Sequence, residues 1–129
     1  MVEKIDLKKI FVVDDNKDIR LTVKANLENM DSRMQVFEFS SGNDCIDALE
    51  NFVPDLILLD IMMPGIDGMD AAIKIKENIT TKNVPIVFLT AKTDKMSKGM
   101  GEIAGEDYIE KPFEPQDLYN RVMKILEGK

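Results

Sequence analysis

Short β-rich runs alternate with helical stretches from one end of the chain to the other, about five of each, and no long linker, repeat or low-complexity segment separates them. This alternation constrains the fold more than any other feature. It implies an α/β domain with a parallel sheet and helices on both faces. The strand candidates are "KKIFVV" (8–13), "MQVFEF" (34–39), "DLILL" (55–59), "PIVFLT" (85–90) and "DYIE" (107–110). Of these, "LILL" and "IVFL" are continuously apolar, as strands buried on both faces should be. The first helix is expected to start after Asp15 or Asn16 and to carry Ile19, Val23, Leu27 and Met30 on one stripe. The last begins at "FEPQDL", where Pro115 suits the first turn, buries Leu118, Val122, Ile125 and Leu126, and ends at Gly128. Between them, "GNDCIDALENF", "GMDAAIKIKEN" and "TDKMSKGMGEIA" supply the remaining helices.

A chain of 129 residues is near the commonest size for one domain, so residues 1–129 are read as a single domain. With 44% hydrophobic and 32% charged residues, it reads as globular. No stretch is long enough to span a bilayer and "MVEKIDLKK" lacks the apolar core of a signal peptide. Membrane insertion is therefore not expected, and the cytoplasm is. The net charge of −7 argues against direct nucleic-acid binding, which needs clustered Lys and Arg. The absence of histidine removes imidazole acid–base chemistry and most zinc sites. Cys45, the single cysteine, sits at a helix position that reads as core.

In an open α/β sheet, ligands sit beyond the carboxyl ends of the strands, where strand order reverses. The first run stops at two adjacent carboxylates, Asp14 and Asp15; Asp60 follows the third, Thr90 closes the fourth and Lys111 follows the fifth. Each has an ordinary explanation on its own. Asp14 and Asp15 suit a helix cap and its solvated neighbour, Asp60 a strand end, Thr90 a cap and Lys111 a surface charge. All five nevertheless fall at one edge of one sheet.

If Asp14, Asp15 and Asp60 converge, each pair about 4 Å apart repels by roughly 4 kcal/mol at an effective dielectric near 20, so the cluster needs cations. Lys111 is one. Carboxylate oxygens without His or Cys suit a hard divalent ion, Mg²⁺ or Mn²⁺, as the other. Such an ion keeps waters that a phosphate can replace. Asp60 then becomes the nucleophile that takes a phosphoryl group, with Lys111 and Thr90 on the phosphate oxygens.

At these residues the chain resembles the receiver domain of response regulators, the CheY-like phosphoacceptor of two-component signalling. The resemblance runs from about Lys9 to Leu126 and rests on "VVDDN", "LLDIMMPGIDG" with Asp60, Met63, Pro64 and Gly68, "FLTAK" with Thr90 and Ala91, and "DYIEKPF" with Tyr108, Lys111, Pro112 and Phe113. It implies a flavodoxin-like sheet of order 2-1-3-4-5. It also implies Mg²⁺ on the Asp15 and Asp60 carboxylates and the Met62 carbonyl, with Asp14 acting through water, and a cis peptide before Pro112.

Asp60 would receive phosphate from a phosphohistidine of a sensor histidine kinase or phosphotransfer protein. Thr90 and Tyr108 would then switch a surface that includes Met100, Tyr108 and Tyr119. That surface would meet a downstream protein target or effector domain, or a second copy in an activation-dependent homodimer. On this reading the chain catalyses only its own phosphorylation and dephosphorylation and is not otherwise an enzyme. Met62 and Lys92 stand at positions that in similar receivers influence phosphate lifetime.

The alternative is a pseudo-receiver, a binding module of the same fold that works without phosphate. A phosphatase with an Asp nucleophile would want a second acid shortly after it, where "DIMMPG" supplies Ile61 and Met62. A nucleotide- or flavin-binding domain would want a Gly-rich loop after the first strand, and there is none.

Overall fold

The structure, a computed structural model, describes residues 6–63, 67–91 and 107–128. The expected helix "TDKMSKGMGEIA" lies outside these residues, as do Pro64, Lys92 and Met100. The described elements are β1 (Lys8–Val13), α1 (Lys17–Met30), β2 (Met34–Phe39), α2 (Gly42–Leu49), β3 (Leu56–Asp60), α3 (Gly68–Glu77), β4 (Ile86–Ala91), β5 (Asp107–Lys111) and α4 (Pro115–Glu127). All strand pairs are parallel, in the order β2-β1-β3-β4-β5, the flavodoxin-like arrangement. Three strands, β3, β4 and β5, reach one residue further than their apolar runs suggest. The ladder carries on to Asp60 and Lys111, so these two end their strands rather than follow them, and Thr90 lies inside β4.

Period-two alternation divides the core. Ile10, Val12, Leu56, Leu58, Val87, Leu89 and Ile109 face α1 and α4, which add Val23, Leu27, Leu118 and Val122. Phe11, Val13, Ile57, Leu59, Ile86 and Phe88 face α2 and α3, which add Cys45, Leu49, Ala71, Ala72 and Ile75. Fully buried side chains of this size each contribute about 1.5–3 kcal/mol. At the helix ends the apolar stripes outrun the sheet. Met30 is 39% exposed while Met34 fills that end of the core, and Ile125 and Leu126 are only half-buried.

Local chemistry starts the helices where the strands stop. Asn16 caps α1, its side chain accepting from the N–H groups of Asp18 and Ile19, so neither Asp14 nor Asp15 is spent as a cap. Ser41 and Asp67 cap α2 and α3 in the same way. Pro115 takes the first position of α4, where its missing N–H costs nothing. Among the described residues no helix is long and apolar enough to cross a membrane.

Candidate phosphoryl-acceptor site

Strand order reverses between β1 and β3, which places Asp14, Asp15 and Asp60 around one crevice. A carboxylate oxygen from each lies within 4.8 Å of the others. Lys111 arrives from β5. Its Nζ donates to Asp14 Oδ2 at 2.8 Å and lies 3.4 Å from Asp60 Oδ1. Asp14, Asp60 and Lys111 continue the alternation of Val12, Leu58 and Ile109, so all three share the pleat that faces α1 and α4.

The two neighbouring acids differ in what they have left to give. Asp14 is fully buried, and every polar atom it owns has a partner. Its N–H donates to Phe39 O at 3.1 Å and its carbonyl accepts from Arg20 at 2.8 Å. Its Oδ1 accepts from Asn16 N–H at 2.9 Å, and Oδ2 from Lys111. Asp15 is exposed, and among the described residues its carboxylate has no hydrogen bond. A cation can therefore take Asp15 directly, whereas Asp14 is better placed to act from behind.

Asp60 is 4% exposed. Its Oδ1 accepts from the Met62 N–H at 3.3 Å. Burial, followed by the charge of Asp14, raises its pKa from 3.8 to about 6, against the opposing pull of Lys111 and the Met62 N–H. For Lys111, burial works against the ammonium, but its hydrogen bond to Asp14 and the charges of Asp60 and Asp14 prevail, and its pKa is raised. When all the acids are ionised, three carboxylates face one ammonium among the described residues and two negative charges remain. An all-oxygen donor set with that residual charge fits a hard divalent cation, and Cys45 is remote from it, buried among the α2 core residues.

Met62 is 64% exposed beside Asp60. Thr90 and Tyr108 lie on the other pleat: Tyr108 pairs with Phe88 in register and Thr90 follows two residues on. Thr90 is buried and, among the described residues, makes no hydrogen bond to the acidic group. The Tyr108 ring stacks on Phe88, centroids 5.9 Å apart at 25°. It therefore packs toward the α2–α3 half of the core, not on the last helix, because Ile109 occupies the face toward α4. Tyr119 is also committed, its hydroxyl donating to Asp31 Oδ2 at 2.9 Å on the α1 side.

Two residues support the site in ways the sequence reading does not assign: Gly68 is named only as part of a motif, and Arg20 is not named at all. Gly68 starts α3 against the Asp60 peptide: a Cβ there would stand 2.0 Å from the Asp60 carbonyl oxygen, and the Gly68 N–H donates to Ile61 O at 2.8 Å. Its place in "LLDIMMPGIDG" marked it, without the steric reason. Arg20 binds the main chain of Asp14, and nothing in its helical spacing marks it. The Lys111–Pro112 peptide is cis, as the resemblance implies.

Comparison with known proteins agrees with this arrangement. The response regulator receiver domain family matches residues 10–123. A CheY-like response regulator receiver domain protein from Methanospirillum hungatei is 35% identical, with 95% of this chain and 98% of that one covered and a TM-score of 0.77. The DrrB receiver domain, solved BeF3-activated, is 33% identical over 94% of this chain and 98% of its own, with a TM-score of 0.81. NtrX from Brucella abortus is 26% identical, with a TM-score of 0.86; the match covers 95% of this chain but 27% of NtrX. With strand order, acidic crevice and a match over residues 10–123 in agreement, this chain belongs to the response regulator receiver domains of two-component signalling.

Proposed function

We propose that Asp60 is the phosphoacceptor of this receiver, taking a phosphoryl group from a phosphohistidine on a sensor histidine kinase or phosphotransfer protein. The observation that carries the proposal is the convergence of Asp14, Asp15 and Asp60 within 4.8 Å beside Lys111. A carboxylate oxygen of Asp60 bonds to phosphorus as the partner's N–P bond breaks, and the imidazole nitrogen leaves with the electron pair. Asp15, Asp60 and the Met62 carbonyl, with Asp14 behind, would hold Mg²⁺ or Mn²⁺, which would supply positive charge for the oxygens of the transferring group. Lys111 pairs with a phosphate oxygen and draws charge from Asp14 and Asp60 before transfer. Thr90 hydrogen-bonds another oxygen.

The output on this reading is a change of surface, with Thr90 and then Tyr108 responding to the phosphate. Their shared pleat and the contact of Tyr108 with Phe88 support that coupling. Partners follow from the same reading: a kinase or phosphotransfer protein upstream, and a protein target, an effector domain or a second copy of the chain downstream. NtrX, of which this chain matches about a quarter, offers a receiver-like segment within a longer protein. Residues 1–129 act as one receiver domain in the cytoplasm, with no turnover beyond the domain's own phosphorylation and dephosphorylation.

Intact mass after incubation with a small-molecule phosphodonor tests the proposal. The expected result is a Mg²⁺-dependent gain of one phosphoryl group that Asp60→Asn abolishes. No gain in any condition would favour the phosphate-independent pseudo-receiver.

A further inference from the structure

Asp15 presents a problem of aim. Its carboxylate has no hydrogen bond among the described residues, so its direction is set by the backbone alone. The peptide that carries Asp15 is the one whose carbonyl belongs to Asp14. Beyond Val13, which pairs with Phe39 on one side and Leu59 on the other, no register partner remains for β1. The Asp14 carbonyl has therefore left the strand ladder.

Arg20 takes it. One turn into α1, its NH1 donates to Asp14 O at 2.8 Å. Its Nε donates to Glu38 Oε1 on β2 at 3.3 Å, and the side chain is only 14% exposed. The planar fork thus spans two fixed points, one on the peptide between the acids and one on the neighbouring strand. Glu38 balances the charge of Arg20, so its contribution to the crevice is chiefly directional.

We propose that Arg20 is a positioning residue for the metal-facing acids: by fixing the Asp14–Asp15 peptide, it aims the otherwise unsupported Asp15 carboxylate into the crevice. The inference rests on the proposed Mg²⁺-dependent function. It adds a residue that touches neither cation nor phosphate, and Glu38 as the anchor that holds it.

The test compares wild type with Arg20→Ala, Arg20→Lys and Glu38→Gln. Arg33→Ala serves as control, since it breaks the Arg33–Asp31 ion pair at the other end of α1. Titration with Mg²⁺ by calorimetry is expected to show the dissociation constant of Arg20→Ala raised roughly tenfold, the range for residues that orient metal ligands. Arg20→Lys, which cannot span both points, is expected to recover only part of this, and Glu38→Gln to move in the same direction by less. In the metal-free protein the amide resonances of Asp15 and Asn16 should shift in Arg20→Ala and stay in place in Arg33→Ala. A purely structural role would lower melting temperature in both Ala variants without that difference.

Wild-type Mg²⁺ affinity and an unmoved Asp15 amide in folded Arg20→Ala would overturn the proposal. If Arg20→Ala fails to fold, Glu38→Gln decides: an unchanged Mg²⁺ affinity and Asp15 amide there would likewise overturn it. If wild type binds no Mg²⁺, the proposed function fails, and the metal-free amide comparison still decides whether Arg20 sets the direction of Asp15.

Discussion

Lys111 stands closer to Asp14 than to Asp60, 2.8 Å against 3.4 Å, so its ammonium is anchored on Asp14 and leans toward Asp60. Removing it leaves two buried carboxylates facing each other without compensation. Lys111→Met is expected to destabilise the metal-free protein by about 2–4 kcal/mol near pH 8. The loss should be smaller at pH 5, where Asp60 takes up a proton. Urea unfolding of wild type and variant at the two pH values measures the difference, and an equal loss at both would show that Lys111 does not balance Asp60.

Asp60 itself should make stability depend on pH. Its pKa of about 6 lies above the ordinary 3.8, so between these values the folded protein holds a proton that the unfolded chain has released. The sign follows from linkage: the contribution of Asp60 is fully present below pH 4, is lost as pH rises through 6 and levels off above it, by about 2–3 kcal/mol. Asp60→Asn should remove that slope and, without metal, be more stable than wild type at pH 8. Added Mg²⁺ should raise the melting temperature of wild type more at pH 8 than at pH 5. A flat wild-type profile between pH 4 and 7 would contradict the perturbed acid.

Gly68 gives a steric prediction. A methyl group there would sit 2.0 Å from the carbonyl oxygen of Asp60 and 2.8 Å from the Ile61 Cα, both main-chain atoms that cannot swing aside. Gly68→Ala must push the start of α3 away from the end of β3. A loss of at least about 2 kcal/mol is expected, at the upper end of overpacking costs, together with slower phosphoryl uptake as Asp60 moves. Chemical denaturation and the rate of mass gain from a phosphodonor read the two effects separately.

Much of this was legible in the sequence because it is periodic. Continuous apolar runs gave β3 and β4, spaced stripes gave α1 and α4, and the rule that sites lie at strand carboxyl ends gathered Asp14, Asp15, Asp60 and Lys111 at one edge. Parity could also have placed Tyr108, since Ile109 beside it is the residue that faces α4. The bonds from side chain to main chain were not legible. Arg20 on the Asp14 carbonyl depends on where a backbone group runs out of strand partners, and no spacing of residue types records that; Gly68 stood in the motif, but the main-chain approach that requires it did not show there.

The same kind of bond guards the edge of the sheet. The N–H of Lys8 reaches Arg33 O and that of Asp14 reaches Phe39 O, so the odd residues of β2 bond to β1 and Val36 turns its main-chain groups outward. That edge would be a template for another strand. Instead Glu28 Oε2 accepts the Val36 N–H at 2.8 Å and Lys24 Nζ donates to the Val36 carbonyl at 2.9 Å, while the two side chains pair at 3.0 Å. An ion pair one turn apart on α1 thus occupies the place of a neighbouring strand. Glu28→Ala strips the N–H of its partner and should cost about 1–2 kcal/mol. Lys24→Ala combined with Glu28→Ala should leave both groups open, and sedimentation at rising protein concentration should then show more self-association than in wild type. A double variant that is destabilised yet stays monomeric at every concentration would mean that the pair stabilises β2 without guarding it.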